Sequence, residues 1–317
     1  MSKAKQINPH ASTQDRLSIK AESFVLWQSL SELLSFFAFL NEPSIHQNTA
    51  AYLRFGAAKR IRWILEDVRW LTSNIPVDRT EALTDEECHA AGLHLNSVYL
   101  HIRGTLDNFA WSLLWQFAPV EAEQLDKDGN YNQIGLFRTS VLRHLPTNSR
   151  LKTIIESLRD WNDAFRLRRD PVAHRLPLRL IPQVITGAEN IRSYQETQAT
   201  LFANISDFAQ RCTQNSNRVD DDSIRGITER CNQIEKLADE HEAKQQKLCR
   251  QMESLGTFVP VFTCSLAGTD LIPLYPTITD DCGNLIKIGA ELRTFIESVV
   301  RPSSAPQSAG DMPVICF

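Results

Sequence analysis

The sequence predicts an all-α protein, and three observations support that prediction. Apolar residues recur at three- and four-residue spacing through long stretches, which is typical of amphipathic helices. Hydrophobic residues make up 42% of the 317 residues, enough for a sizeable core. Only 12 residues are glycine, which argues against a turn-rich β protein and against a phosphate-binding α/β fold.

The N-terminal part of the chain predicts three long helices in succession. We expect the first over residues 18–40 and the second over about 52–74. Thr84 and Glu87 form a capping box, in which two side chains and two backbone N–H groups hydrogen-bond reciprocally. This capping box starts a third helix, which reaches about residue 118.

The rest of the chain predicts shorter helices separated by polar and proline-containing stretches. The polar residues 121–132 predict a loop, and Ser149 caps a helix that runs to about Phe165. After this helix we expect an extended piece over 176–182, a helix over 189–212, a charged helix over about 223–255, a small hairpin over 258–275 and a last helix over 283–300. The charged helix is long and polar, so we expect it to project or to pack against a partner.

The predicted domains are a bundle over 18–214 and an extension with the hairpin over 215–300, between disordered ends at 1–17 and 301–317. The seven cysteines show no Cys-x-x-Cys spacing, and the N-terminus has no apolar signal segment. Reduced thiols and a cytoplasmic location are therefore expected. No stretch is long and apolar enough to predict a membrane span.

A positively charged window lies within a chain whose formal net charge is −4. Between residues 159 and 179 there are six arginines but only three aspartates, a surplus of three positive charges. The arginines are Arg159, Arg166, Arg168, Arg169, Arg175 and Arg179. A phosphate ligand needs such local charge, so the window predicts an anion-binding surface.

The strongest local signal is the run Arg-Asp-Pro-Val-Ala-His at residues 169–174. Asp followed by Pro is typical of a helix start, with Asp170 as the N-cap and Pro171 at the first helical position. Such a start lets Arg169 and His174 converge on one ligand, whereas positions five apart on an unbroken helix differ by about 140°. The free N–H groups of a helix start also favour an anion.

An arginine and a histidine in this arrangement predict RNA cleavage that uses no metal or other cofactor. Attack by the 2′-hydroxyl of RNA needs a group that exchanges protons near neutral pH, which is the role we expect for His174. It also needs positive charge at the phosphoryl oxygens, which Arg169 supplies. We expect Arg166, Arg168 and Arg175 to bind further substrate phosphates.

This run resembles the signature of the HEPN-domain ribonucleases: an Arg, four to six residues and a His, often with Asn, Asp or His directly after the Arg. It maps onto Arg169, Asp170 and His174. The resemblance implies a HEPN-like four-helix bundle over roughly residues 50–212, with these three residues catalytic. It also implies a homodimer that brings two such runs together, a toxin–antitoxin or antiviral defence role, and a cognate antitoxin or other regulatory protein as partner.

Interpretations without catalysis stay open. In these, Asp170 only caps a helix, Arg169 pairs with Asp163 or Asp170, and His174 packs against Trp161. The protein is then either a helical module that binds RNA, a nucleotide or a partner protein through the same basic patch, or a purely structural protein.

A second group of polar residues lies in the third predicted helix. Arg103 and Asp107 are four residues apart and share one helix face, with Asn108 next to them. We expect these three residues to bind substrate or to orient His174. The alternative is an ordinary ion pair that stabilises the helix.

Two pairs of aromatic residues recur at seven-residue spacing. Trp63 and Trp70 share one helix face, and His94 and His101 share another. We interpret the tryptophans as core residues rather than as a platform for base stacking. The histidines lack the additional ligands at suitable spacing that a metal site requires.

Overall fold

The computed structural model describes residues 13–174, 176–216, 224–265 and 270–300. The chain is mainly helical, which confirms the predicted class. The helices are α1 (Thr13–Ala38), α2 (Gln47–Ala51), α3 (Ala58–Asn74), α4 (Asp85–Phe117), α5 (Pro119–Lys127), α6 (Thr139–Leu142), α7 (Arg150–Ser157), α8 (Arg159–His174), α9 (Ala188–Ser216), α10 (Ile224–Glu253) and α11 (Leu274–Val300). A π-helical segment (Tyr52–Ala57) joins α2 to α3, and a 3-10 turn (Tyr131–Gln133) follows α5.

The predicted extended piece and the predicted hairpin form one small antiparallel sheet. Its strands are β1 (Arg179–Leu180), β2 (Val261–Thr263) and β3 (Ile272–Pro273), in the order β1-β2-β3. The Asn96 side chain of α4 donates to the Leu178 carbonyl and accepts from the Leu178 N–H, at 3.0 and 2.8 Å. This amide therefore holds the chain just before β1.

By their contacts the described residues divide into two compact units. The first lies within Met1–Asp78, His89–Leu180 and Pro260–Phe317, and the second within Arg79–Cys88 and Ile181–Val259. The predicted boundary near residue 215 is wrong, because it separates α9 from α10, which pack against each other. Helix α11 belongs to the first unit, since it packs against α1 and α7. The expected disordered ends at 1–12 and 301–317 lie outside the described residues.

Helices α1, α4 and α11 contribute to one apolar core in the first unit. Phe37 of α1 packs on Phe109 of α4 with ring centroids 5.4 Å apart, and both rings are fully buried. A Cβ on Gly289 of α11 would lie 2.8 Å from the Leu33 side chain of α1, so glycine allows these two helices to approach closely. Burial of each large apolar side chain stabilises the fold by roughly 1.5–3 kcal/mol.

Helix α4 runs antiparallel to the segment from His46 to the end of α3, and the register of facing residues is constant from Gly56 onward. The facing pairs are His46–Trp115, Tyr52–Trp111, Gly56–Asn108, Arg60–Gly104, Trp63–His101 and Trp70–His94. A Cβ on either glycine would lie within 2.6 Å of the facing Asn or Arg side chain. Glycine at these two positions therefore makes room for a large polar group between the helices.

The predicted capping box at the start of α4 is confirmed. The Thr84 N–H donates to Glu87 Oε2 at 2.9 Å, and the Glu87 N–H donates to Thr84 Oγ1 at 3.2 Å. The single helix predicted from Ser149 to Phe165 is wrong, because the backbone leaves helical angles at Leu158 and so separates α7 from α8.

The predicted helix start at Asp170 and Pro171 is also wrong. Helix α8 is unbroken over Arg159–His174, with Pro171 inside its last turn. Phe165 is fully buried, and Trp161 contacts its ring at 5.5 Å between centroids, so packing already stabilises this helix before the proline. At that position Pro171 removes one backbone hydrogen bond, which the established helix tolerates.

The predicted loop over 121–132 is largely helical. Helix α5 has Pro119 in its first turn, where the missing N–H costs no hydrogen bond. Ala122 is fully buried, and Glu123 forms an ion pair with Lys127 one turn later, at 2.7 Å. Burial on one side and the ion pair on the other stabilise this helix, although its polar composition is typical of a loop.

In the second unit, α9 and α10 form an antiparallel pair. The residues turned toward the partner helix recur at three- to seven-residue steps: Tyr194, Thr197, Leu201 and Phe208 on α9, and Leu237, His241, Leu248 and Met252 on α10. Phe208 stacks on His241 with ring centroids 4.2 Å apart. The predicted charged helix is thus confirmed as α10, and it packs against α9 of the same chain. Across the described ranges, every helix is too short or too polar to span a bilayer.

A buried carboxylate joins α4, α8 and α11 in the first unit. Asp281 of α11 is 1% exposed. It accepts hydrogen bonds from Trp161 Nε1 at 2.8 Å, from the Tyr99 hydroxyl at 3.0 Å and from Arg168 Nη2 at 2.6 Å. Burial raises the pKa of Tyr99 well above its ordinary value, and the charge of Asp281 raises it further.

We expect Asp281→Asn to lower the free energy of unfolding by about 3–5 kcal/mol, because it leaves the charge of Arg168 buried without its partner. Urea denaturation followed by circular dichroism measures this decrease. The neighbouring Asp280→Asn is the control: burial and the charge of Asp281 raise the pKa of Asp280, so removal of its charge does not destabilise the fold. Equal destabilisation of both variants would contradict the role given to Asp281.

Candidate functional site

Arginine side chains from α4, α8 and the connection before α6 line one open cleft, here called the arginine cleft. Its lining residues are Arg103, Gly135, Phe137, Arg138, Arg159, Asn162, Asp163, Arg166, Arg169 and Asp170. The cleft has a volume of about 540 Å³. Five arginines face two aspartates, so the lining carries a surplus of three positive charges in a chain of net charge −4.

One side of helix α8 contacts the buried Asp281, and the opposite side lines the arginine cleft. Trp161 and Arg168 are seven residues apart, and both reach the buried Asp281. The residues that line the cleft, among them Arg166 and Asp170, recur at three- and four-residue steps on the other side. The contact with Asp281 therefore sets the rotation of α8 that turns its outer arginines into the cleft.

The arginines of the cleft exceed the carboxylates that could neutralise them. Arg169 Nη1 donates to Asp170 Oδ1 at 2.8 Å, and Arg166 Nε lies 3.8 Å from the other oxygen of the same carboxylate. Arg138 and Arg159 form no ion pair within the described part of the chain. The cleft thus has guanidinium groups free to bind an anion.

Arg103 and Asp107 form an ion pair of 3.0 Å at the edge of this cleft. Burial lowers the pKa of Arg103, and the positive charges of Arg169 and Arg166 lower it further. The negative charge of Asp107 raises the pKa of Arg103 and so opposes these effects. Burial raises the pKa of Asp107, against the opposite effect of Arg103 and Arg169. The arginines of α4 and α8 are therefore close enough to repel one another, and an anion between them relieves that repulsion.

Of the predicted site residues, the structure brings Arg103, Arg166, Arg169 and Asp170 together in the cleft, with Asp107 beside them. Two others lie elsewhere. Arg168 is turned inward to Asp281, and the Asn108 carboxamide lies against Gly56 of the neighbouring segment. The backbone of His174 ends α8, its side chain lies outside the described residues, and so does Arg175.

The predicted convergence of Arg169 and His174 through a helix boundary is wrong, because α8 is continuous. Positions 169 and 174 therefore differ by about 140° around the helix axis. Position 174 does follow Asp170 by four residues and Arg166 by eight, so it continues the series of positions that line the cleft.

Four polar residues of the cleft are absent from the predicted site: Arg138, Arg159, Asn162 and Asp163. Of these, Arg159 was counted only in the basic window, and Asp163 only as a partner of Arg169. The three on α8 precede Arg166 at the spacing of one helix side, a pattern that could have been found once an unbroken helix was assumed. Asn162 is 7% exposed, and its Oδ1 has no hydrogen-bond partner within the described residues. Arg138 reaches the cleft from a connection, and no local pattern indicated it.

Comparison with known protein families, characterised proteins and solved structures gives no match for this chain. Within the described ranges, no cluster of three His, Cys, Asp or Glu side chains could hold a metal ion. The functional interpretation therefore depends on the geometry and charge of the arginine cleft.

The raised pKa of Asp107 makes a prediction about stability. The folded protein holds the carboxyl proton of Asp107 more tightly than the unfolded chain does. Ionisation of Asp107 therefore lowers the free energy of unfolding once the pH rises above the ordinary pKa of an aspartate. We expect Asp107→Asn to be at least as stable as the wild type at pH 7, with the difference shrinking toward pH 4. Urea denaturation at both pH values measures this. A variant that is less stable at pH 7 would show that the Arg103 pair outweighs burial.

Proposed function

We propose that this protein binds the phosphates of RNA in the arginine cleft. One observation carries the proposal: five guanidinium groups surround one open cleft, in a chain whose overall charge is negative. Guanidinium groups bind phosphate oxygens through two parallel hydrogen bonds, which is why arginine is frequent at phosphate sites. Within the described part of the chain, two of the five, Arg138 and Arg159, form no ion pair with a carboxylate, so a phosphate displaces no partner from them.

The HEPN-like bundle belongs to this proposal. It is supported by the helical class of the fold and by the position of Arg169 and Asp170 on α8, a helix tied to α4 and α11 through Asp281. The homodimer and the antitoxin or other regulatory partner remain predictions of the resemblance.

We expect Arg166→Ala and Arg169→Ala each to weaken RNA binding, because each removes one guanidinium group that neutralises a phosphate. For a single-stranded RNA, the slope of log affinity against log salt concentration should become shallower by about 0.7 for each phosphate that is no longer neutralised. Fluorescence anisotropy of a labelled RNA over a series of salt concentrations measures both quantities.

The matched control is Arg211→Ala on α9. Arg211 forms an ion pair with Asp207 at four-residue spacing and 2.9 Å, and Arg166 pairs with Asp170 at the same spacing and 3.8 Å. Arg211 is not among the residues that line the cleft. The control should bind RNA with the wild-type slope. Absence of RNA binding by the wild type, or equally weakened binding by Arg211→Ala, contradicts the proposal.

A second candidate function is metal-independent cleavage of the bound RNA, with His174 as the general acid and base and Arg169 at the scissile phosphate. The observation that favours it is the helix position of His174, which continues the series through Arg166 and Asp170 on the cleft side of α8. Histidine exchanges protons near neutral pH, as cleavage through the 2′-hydroxyl of RNA requires.

Incubation of the purified protein with mixed RNA in EDTA tests this function. We expect the wild type to produce fragments with 2′,3′-cyclic phosphate ends, and His174→Ala to produce none while it still binds RNA. His89→Ala, which removes an exposed histidine of α4, should cleave like the wild type. Intact RNA in every sample, or equal cleavage by His174→Ala, leaves binding as the function of the cleft.

A further inference from the structure

Two tryptophans of α3 pack against two histidines of α4, a group we call the Trp–His ladder (Trp63, Trp70, His94 and His101). The ring centroids of Trp63 and His101 are 4.6 Å apart, and those of Trp70 and His94 are 4.4 Å apart. Trp63 is 44% exposed, so its predicted place in the core is wrong. The ladder presents aromatic surface to solvent at the seam between the two helices.

Polar contacts hold the histidine rings of the ladder in place. His94 Nδ1 lies 2.7 Å from Asp67 Oδ1, and His101 Nδ1 lies 3.4 Å from Arg60 Nη1. Burial lowers the pKa of His101, and the charge of Arg60 lowers it further, against the opposite effect of Asp67. A fixed histidine behind each tryptophan keeps the indole from turning, and a ring held in this way loses little freedom when a ligand stacks on it.

The segment that carries the tryptophans is basic. Over residues 52–74 the cations are Arg54, Lys59, Arg60, Arg62 and Arg69, against Glu66 and Asp67. Exposed aromatic rings among positive charges are the combination that binds single-stranded nucleic acids, since every unpaired base can stack and every phosphate is attracted.

The ladder is linked to the arginine cleft through α4. The Arg60 guanidinium lies over Gly104, and its positive charge opposes the rise that burial causes in the pKa of Asp107. Asp107 in turn pairs with Arg103, which lines the cleft. Arg60 therefore contacts the ladder at His101 and brings positive charge near the cleft at Asp107.

We propose that the Trp–His ladder stacks unpaired bases of the same RNA whose phosphates the arginine cleft holds, and that the ligand is single-stranded. This inference rests on the proposed RNA binding. In a duplex the bases are already paired and stacked, so the ladder has no free base face to bind.

Three probes separate the two contributions: a short single-stranded RNA, the same sequence as a duplex, and an abasic ribose-phosphate oligomer of the same length. We expect the wild type to bind the single strand most tightly. Trp63→Ala should weaken binding of the single strand roughly tenfold, the effect expected for one stacked base. It should leave the affinity for the abasic oligomer unchanged, whereas Arg166→Ala should weaken binding of all three probes.

Two further variants control for removal of an aromatic ring as such. Trp63→Phe keeps a ring at the ladder and should retain most of the affinity. Phe39→Ala removes an aromatic ring that is 83% exposed at the end of α1, and it should bind like the wild type. Circular dichroism verifies that each variant is folded.

The outcomes distinguish failure of the ladder from failure of the cleft. If Trp63→Ala binds the single strand like the wild type, or binds the abasic oligomer equally weakly, the ladder proposal is overturned and RNA binding by the cleft stands. If the wild type binds none of the probes, the proposed function is overturned and the ladder proposal with it. Preference of the wild type for the duplex overturns the ladder proposal alone.

Discussion

The buried carboxylate of Asp281 is the interaction on which the first unit depends. It accepts hydrogen bonds from α4 and α8 at once, and its charge is matched by the guanidinium of Arg168. Because Trp161 and Arg168 occupy one side of α8, their contact with Asp281 sets the rotation of that helix. The opposite side, with Arg166 and Asp170, is thereby turned into the arginine cleft. A buried polar network with all its partners in place favours one helix arrangement over others.

Helix α4 connects the two proposed binding surfaces. Arg103 lines the cleft on one side of this helix, and His101 supports Trp63 on the other. Between these two sides Gly104 leaves room for the Arg60 guanidinium, which brings positive charge near Asp107. An acidic chain can attract a polyanion at such a place because charges near the ligand outweigh distant ones, which solvent ions screen over about 8–10 Å.

The sequence predicted most elements of the fold and part of the site. The capping box at Thr84, the charged helix α10 and the hairpin strands depend on residues within a few positions of one another, so local patterns were sufficient. The errors came from places where packing outweighed local preference. Pro171 remains inside α8 because the helix is already stabilised by buried residues before it. Trp63 packs one face of its ring on His101 of another helix and stays 44% exposed, which the local spacing did not indicate.

The sequence by itself determined the helical class, the surplus of arginines around α8 and the identity of several residues that line the cleft. Hydrogen bonds between neighbouring turns and the spacing of apolar residues are properties of the local chain, so they can be read from it. Only the tertiary structure decided which arginines share a cleft. Asp281 is 113 residues from Arg168 and 182 from Tyr99, and no local pattern indicates that these groups meet. Because Arg168 contacts Asp281, it is not available to bind phosphate as predicted, whereas Arg166 and Arg169 line the cleft. The fold also brings Arg138 to the cleft from the connection before α6.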